Sequence, residues 1–252
     1  MSKTIYFKAV RLDNTSHYDR KTLWTPGVEI AVPGAPADGA SCGPGIHGCE
    51  TLLGAVAHQN GPSKYLTFTA TSEVLGRDDE KIRFRSVMPG EYLTQQETDA
   101  LAGFKLWEAS NPVNPLLVAE ADRIPLEEAV EALRLWASVW ASVWASVWAS
   151  VWDSVWDSVG DSVWDSVWDS VGDSVGDSVW ASVGAYVGGL FPGITSWKYA
   201  ESLGPDPWRP LLTLWYGGYL PSFDGATWRL HAGPNAEAVW AGRVVGGEVV
   251  TL

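Results

Sequence analysis

Residues 136–187 repeat one tetrapeptide thirteen times, and this block limits what the chain can fold into more than any other feature. It reads Trp-Ala-Ser-Val from Trp136, Trp140, Trp144 and Trp148. Seven Asp-Ser-Val units follow, headed by Trp152, Trp156, Gly160, Trp164, Trp168, Gly172 and Gly176. Trp180-Ala-Ser-Val and the altered unit Gly184-Ala-Tyr-Val close the series. Self-similarity at a fixed period is settled before any other pattern is read. On an α-helix four residues turn about 400°, so each stripe drifts right-handedly by roughly 40° per tetrad. Two apolar positions beside two polar ones still make an amphipathic face over four or five tetrads. The lead-in Pro125-Leu126-Glu127-Glu128 starts a helix, with Pro near N1 and acids in the first turn.

The block also carries features that oppose a helix. Trp, Asp, Ser and Val each cost about 0.5–0.7 kcal/mol against Ala, and Gly about 1. Asp153, Asp157, Asp161, Asp165, Asp169, Asp173 and Asp177 recur four apart, and no Lys, Arg, His or Glu lies between Leu135 and Trp197 to offset them. The rival geometry is a narrow right-handed β-solenoid of pentapeptide-repeat-like type, with Val inward and Trp or Gly outward. The helix is the preferred reading. Trp and Gly codons differ by one nucleotide, as do those of Asp and Ala, which marks the block as a tandem expansion.

The fold expected is α+β, with β-rich modules at both ends of the chain joined by the repeat as a long amphipathic helical rod. Residues 1–90 form the N-terminal module, 91–125 a helical connector, 126–190 the lead-in and rod, and 191–252 a small C-terminal module. Alternation and turn residues predict strands over 4–11, 28–32, 65–71 and 81–87, with a short helix over 51–58. Thr94-Gln95-Gln96-Glu97 predicts a capping box opening a helix to about Glu108. Beyond the repeat, residues 211–216 read as a helix and Asp224-Gly225 as a hairpin turn. Residues 238–242 and 248–252 read as strands joined at Gly246-Gly247, with Trp215, Trp228 and Trp240 as core.

A net charge of −13 argues against binding to a nucleic-acid backbone or an anionic membrane surface. No segment has the roughly 18 uninterrupted apolar residues of a membrane span. The opening run Ile5-Tyr6-Phe7-Lys8-Ala9-Val10 reads as a strand rather than a leader, and two cysteines fit a reduced compartment. The location expected is the cytoplasm of a bacterial host, or the virion.

The chemistry-bearing motif is Cys42-Gly43-Pro44-Gly45-Ile46-His47-Gly48-Cys49-Glu50. Cys42, His47 and Cys49 could ligate a metal, with His58 or a carboxylate as fourth ligand, but paired Cys-x-x-Cys spacing is missing. Either thiol with His47 could form a nucleophile pair. The preferred reading is structural: small thiols packed inward and glycines shaping a tight turn. No metal and no cofactor is expected.

The order of Trp24-Thr25-Pro26-Gly27-Val28-Glu29-Ile30, the Cys-x6-Cys enclosing Gly-x-His, Ser63-Lys64-Tyr65 and Asp78-Asp79-Glu80-Lys81-Ile82 resembles a small domain at the N-terminus of uncharacterised tailed-phage and prophage proteins. Those proteins often continue into low-complexity repeats. The likeness spans about a third of the chain, departs from it at residues 33–40, and implies a phage context without an activity. Trp228-Arg229-Leu230-His231-Ala232-Gly233 is similar to segments that follow tetrad repeats in phage-derived sequences.

The function expected is a phage-type structural or interaction protein, with the repeat acting as spacer or self-association element. Its interaction residues would be Trp136, Trp140, Trp144, Trp148, Trp152 and Trp156 together with the seven aspartates. The partner is another copy or another protein, with no direct nucleic acid and no membrane. Two other functions compete. An acidic DNA mimic would inhibit a host DNA-binding protein, since residues four apart on a helix rise about 6 Å. An enzyme would use Cys42, His47 and Cys49.

Overall fold

The computed structural model of the protein describes residues 4–79, 81–150, 176–195 and 206–252, with backbone alone over 141–150 and 176–180. The chain divides into two compact units, Met1–Asn111 and Pro112–Leu252.

In the first unit, β1 (Ile5–Arg11), β4 (Ser63–Ala70), β7 (Ser86–Tyr92) and β2 (Ile30–Ala31) form an antiparallel sheet in the order β1-β4-β7-β2. A second sheet has the order β3-β6-β5, from β3 (Ile46–Gly48), β6 (Ile82–Phe84) and β5 (Val74–Arg77). Successive side chains of a strand point to opposite faces, and here both faces of the first sheet are covered. Val10, Leu66 and Phe68 join Trp24, Ile46, Ile82 and Phe84 on one side. Ala9 and Tyr65 join Cys49, Leu52, Ala55 and Leu106 on the other, under α1 (Leu52–Val56) and α3 (Leu106–Ser110). Two polar bonds fix the corners. Trp24 Nε1 donates to Ser16 Oγ at 2.9 Å, and Tyr92 Oη donates to the Trp24 carbonyl at 2.6 Å. The capping box at Thr94 opens α2 (Gln95–Ala102), which ends at Gly103 in the left-handed region rather than running on to Glu108.

The second unit holds α4 (Leu126–Ser150), α5 (Gly176–Gly189), α6 (Arg209–Tyr216) and an antiparallel meander. Its strands are β8 (Leu220–Phe223), β9 (Trp228–Ala232), β10 (Glu237–Val245) and β11 (Glu248–Thr251), paired in that order. Along α4, over residues 126–140, the buried residues are Ala129, Ala132, Leu133 and Trp136, at the i, i+3, i+4, i+7 spacing of one helix face. That face packs on α5 and α6. On α5, residues 181–188 are buried without exception, so this helix is the centre of the unit. The missing charge in residues 181–188 follows from that position, because a stretch covered on every side has no solvated face to carry one.

The expected β-rich modules joined by a tetrapeptide rod are overturned by this arrangement. The first tetrads do continue the helix begun at Leu126. However, α4, in which they lie, packs against α5, which contains the last tetrads, and against α6 beyond them, so the two ends of the repeat belong to one compact unit. A rod would have carried them apart. The physical reason is that the Trp stripe finds apolar partners within the chain: Trp136 is 0% exposed, and Trp140 lies edge-on to Phe223 and Trp228 at 5.7 and 6.0 Å. The alternative β-solenoid is overturned as well, because residues 136–150 and 176–187 are helical. The fold is mixed, with antiparallel sheets and short helices. Among the described residues no helix is long and apolar enough to cross a membrane.

Candidate functional site

The Cys42–Glu50 motif is only partly a loop. Ile46–Gly48 is strand β3, paired with β6 through Ile46↔Phe84, His47↔Arg83 and Gly48↔Ile82. Cys49 continues the pairing onto β1, exchanging bonds with Phe7 at 2.8 and 3.0 Å. Two of the motif's glycines are required by what lies against them. A Cβ on Gly45 would stand 2.8 Å from Arg83 Cγ and 2.9 Å from the Phe84 carbonyl. A Cβ on Gly48 would stand 2.2 Å from Phe68 Cζ, inside the ring's own volume.

Arg83 is the charged residue that this motif covers. Its side chain is 0% exposed, is ion-paired with Asp38 and donates to the carbonyls of Pro36 (3.1 Å) and Pro44 (3.4 Å). The Ala40 N–H and Arg83 together hold the Asp38 carboxyl below its ordinary range. A buried guanidinium is tolerated when it is paired and hydrogen-bonded, and the 36–44 backbone wraps it accordingly.

Beside the motif is a cavity of about 40 Å³ bordered by Phe7, Lys8, His47, Cys49, His58 and Lys81. Three of the four candidate ligands, His47, Cys49 and His58, border this cavity, whereas Cys42 is exposed and hydrogen-bonded to Lys81, a contact that pulls its thiol down. Two lysines stand in the cavity wall. Lys8 is half-buried, its ammonium 5.6 Å from the centre of the Trp24 ring, and burial lowers its pKa. His47 is pushed down to about 4, first by burial and then by Lys8, Lys81 and Arg83, so the imidazole is neutral at pH 7. Two cations on the wall oppose a divalent metal, and an imidazole with so low a pKa is a weak general base. Among the described residues no group of three His, Cys, Asp or Glu is placed to hold a metal ion.

Two serine–histidine pairs also occur. In the first unit Ser63 Oγ donates to the Gly61 carbonyl at 2.7 Å, so its proton is committed there and not to His17 Nε2 at 2.9 Å. In the second, His231 Nδ1 donates to the Ala236 carbonyl at 2.9 Å, leaving Nε2 to accept from Ser222 at 2.8 Å. Both residues of that pair are buried in the sheet, and burial lowers the His231 pKa. These bonds satisfy buried polar groups.

Of the expected interaction residues, Trp136 is fully buried and Trp140 is half-buried, its Nε1 buried without a hydrogen-bond partner among the described residues. Trp144 and Trp148 lie on α4 and Asp177 on α5, with side chains outside the description. Trp152, Trp156, Asp153, Asp157, Asp161, Asp165, Asp169 and Asp173 lie outside the described residues. Sequence reasoning missed Lys8, Lys81 and Arg83. The available signal for Arg83 was its place between Ile82 and Phe84, a charge inside a short apolar run. Comparison with family models, curated proteins and solved structures returned no match.

Proposed function

We propose that the protein is a structural or interaction protein of the phage type its sequence resembles, acting by contact with protein partners and by self-association, and catalysing no reaction. The observation that carries this reading is that packing accounts for the Cys42–Glu50 motif. Gly45 admits Arg83, Gly48 admits Phe68, and His47 and Cys49 sit in strand pairings with Arg83 and Phe7. The pattern that suggested a metal or a nucleophile thus has a reason that needs neither.

Exposed apolar surface supports contact as the mode of action. Tyr18 is 100% exposed, and Leu12 and Leu23 on the same loop are 54% and 53% exposed. Tyrosine is among the residues enriched where binding energy concentrates. Trp136 and Trp140 are used inside the second unit, so self-association falls to the repeat tryptophans that follow them. The test is sedimentation velocity on the full chain at tens of micromolar. A dimer or larger species is expected, and a single monomeric species contradicts self-association.

A further inference from the structure

A cleft of about 380 Å³ is bordered by the end of β1 and the loop from residue 13 to Trp24, and its polar walls are Arg11, Asp13, His17, Arg20 and Asn60. Its size lies in the range of small-molecule sites. The loop is built to hold a fixed shape. Asp13 Oδ1 accepts from the Thr15 N–H at 3.0 Å, and Asp19 Oδ1 accepts from the Lys21 and Thr22 N–H groups at 3.0 Å each. The Arg20 N–H donates to the Ser16 carbonyl at 3.0 Å.

Arg20 stands in this frame with φ +54°, in the left-handed region that favours glycine. Backbone conformations of this kind persist where the surrounding structure imposes them, and they concentrate at ligand-binding positions. The charges are arranged unevenly as well. Arg11 is paired, with Asp13 at 3.1 Å and Thr15 at 3.3 Å. Asp19 is occupied by its own turn and by Thr22. Among the described residues the Arg20 guanidinium has neither a hydrogen bond nor an ion pair. Arg11 and Arg20 against Asp13 leave the cleft one positive charge in excess, on a chain whose net charge is −13.

We propose that this cleft binds a small molecule through an oxyanion, a phosphoryl or carboxylate group, gripped by the Arg20 guanidinium and assisted by Arg11 and Asn60. A guanidinium presents a planar fork of donors that matches either group in a bidentate manner. Leu12 and Pro62, which also border the cleft, give the rest of the molecule an apolar floor. The cleft shares Leu12 with the exposed loop surface assigned to protein contact, but small-molecule binding through Arg20 is read by titration and self-association by sedimentation, so failure of one is distinguishable from failure of the other.

The experiment titrates the full chain calorimetrically with phenyl phosphate and, in a separate arm, with benzoate. Saturable one-to-one binding of either is expected at or below about 1 mM, the scale of a single well-formed ionic grip. Binding of phenyl phosphate alone assigns the phosphoryl group, binding of benzoate alone assigns the carboxylate, and binding of both assigns the shared oxyanion. Arg20→Gly, which relieves the backbone, should weaken binding at least tenfold while the melting temperature holds or rises. Arg20→Lys, which keeps the charge and loses the fork, should fall between. No saturation by either compound overturns the proposal. So does equal affinity in wild type and Arg20→Gly, or a fall of several degrees in the Arg20→Gly melting temperature, which would make Arg20 a structural residue.

Discussion

Phe68 stands where a side chain on Gly48 would have to be: the ring's Cζ lies 2.2 Å from the position of the missing Cβ. Gly48 pairs with Ile82 in the smaller sheet and Phe68 belongs to the larger one, so this contact sets how closely the two sheets approach. Gly48→Ala must displace Phe68 from its ring neighbours Tyr6, Trp24 and Phe84. Overpacking of this kind costs about 1–3 kcal/mol. Urea unfolding should show the first unit weakened by that amount, and an unchanged midpoint would show that the sheets can separate without penalty.

Trp136 and Trp140 read alike in sequence but should differ in mutation. Trp136 is completely buried, and Trp136→Ala should destabilise the second unit by about 3–5 kcal/mol through the cavity it leaves. Trp140→Phe removes an indole N–H that is buried and unpartnered among the described residues, which offsets the lost ring area. That substitution should change stability by less than about 1 kcal/mol. Equal costs for the two would place both residues in the same environment, against the structure.

The two thiols should react in sequence. Cys42 is exposed and its thiol is pulled down by Lys81, whereas Cys49 is buried. A maleimide should label Cys42 in the folded protein and Cys49 only after denaturation, as read by mass spectrometry of peptides. Protein purified without chelator should also contain no stoichiometric zinc, and about one zinc per chain would reverse the structural reading of the motif.

Acid should weaken the first unit through His47. Its folded pKa is about 4 against an ordinary 6.5, so between those values the unfolded chain binds more protons than the folded one. Stability is therefore complete above pH 6.5 and declines as pH falls toward 4. The half-buried ring limits the effect to on the order of 1–3 kcal/mol. Burial lowers His17 as well, adding slope of the same sign in this unit, and His231 does the same in the second unit. His47→Gln should flatten the decline in chemical unfolding measured from pH 7 to pH 4.5. A wild-type stability that rises toward pH 4.5 would contradict the assignment.

Elements with their own local signal were legible in the sequence. The capping box at Thr94, the Asp224-Gly225 hairpin and the Gly246-Gly247 turn lie where spacing placed them, and Trp215, Trp228 and Trp240 are buried. Residues 81–87 read as one strand but form β6 and part of β7, because the break falls between Phe84 and Ser86 with no Gly or Pro to mark it. Strand β3 was hidden among glycines that suggested a turn. The placement of the repeat is not legible in the sequence for a deeper reason. Identical tetrads carry no information about which of them will meet a partner, and that is decided by Tyr186, Trp215, Phe223 and Trp228 outside the regular pattern. In the cavity beside the motif, Lys8 and His47 lie far apart in sequence, and only the strand pairing brings them together.

The last tetrads lie at the centre of the second unit. Tyr186 stacks on Trp215 with ring centres 4.7 Å apart, and residues 181–188 are buried throughout. Amide protection scales with the free energy needed to open a segment, and core helices exchange only by global opening. Hydrogen–deuterium exchange on the full chain, read by mass spectrometry at residues 181–190, tests this directly. The structure predicts protection equal to or greater than that of strands β8 and β9. Exchange within seconds at those amides, as in an exposed helix, would contradict it.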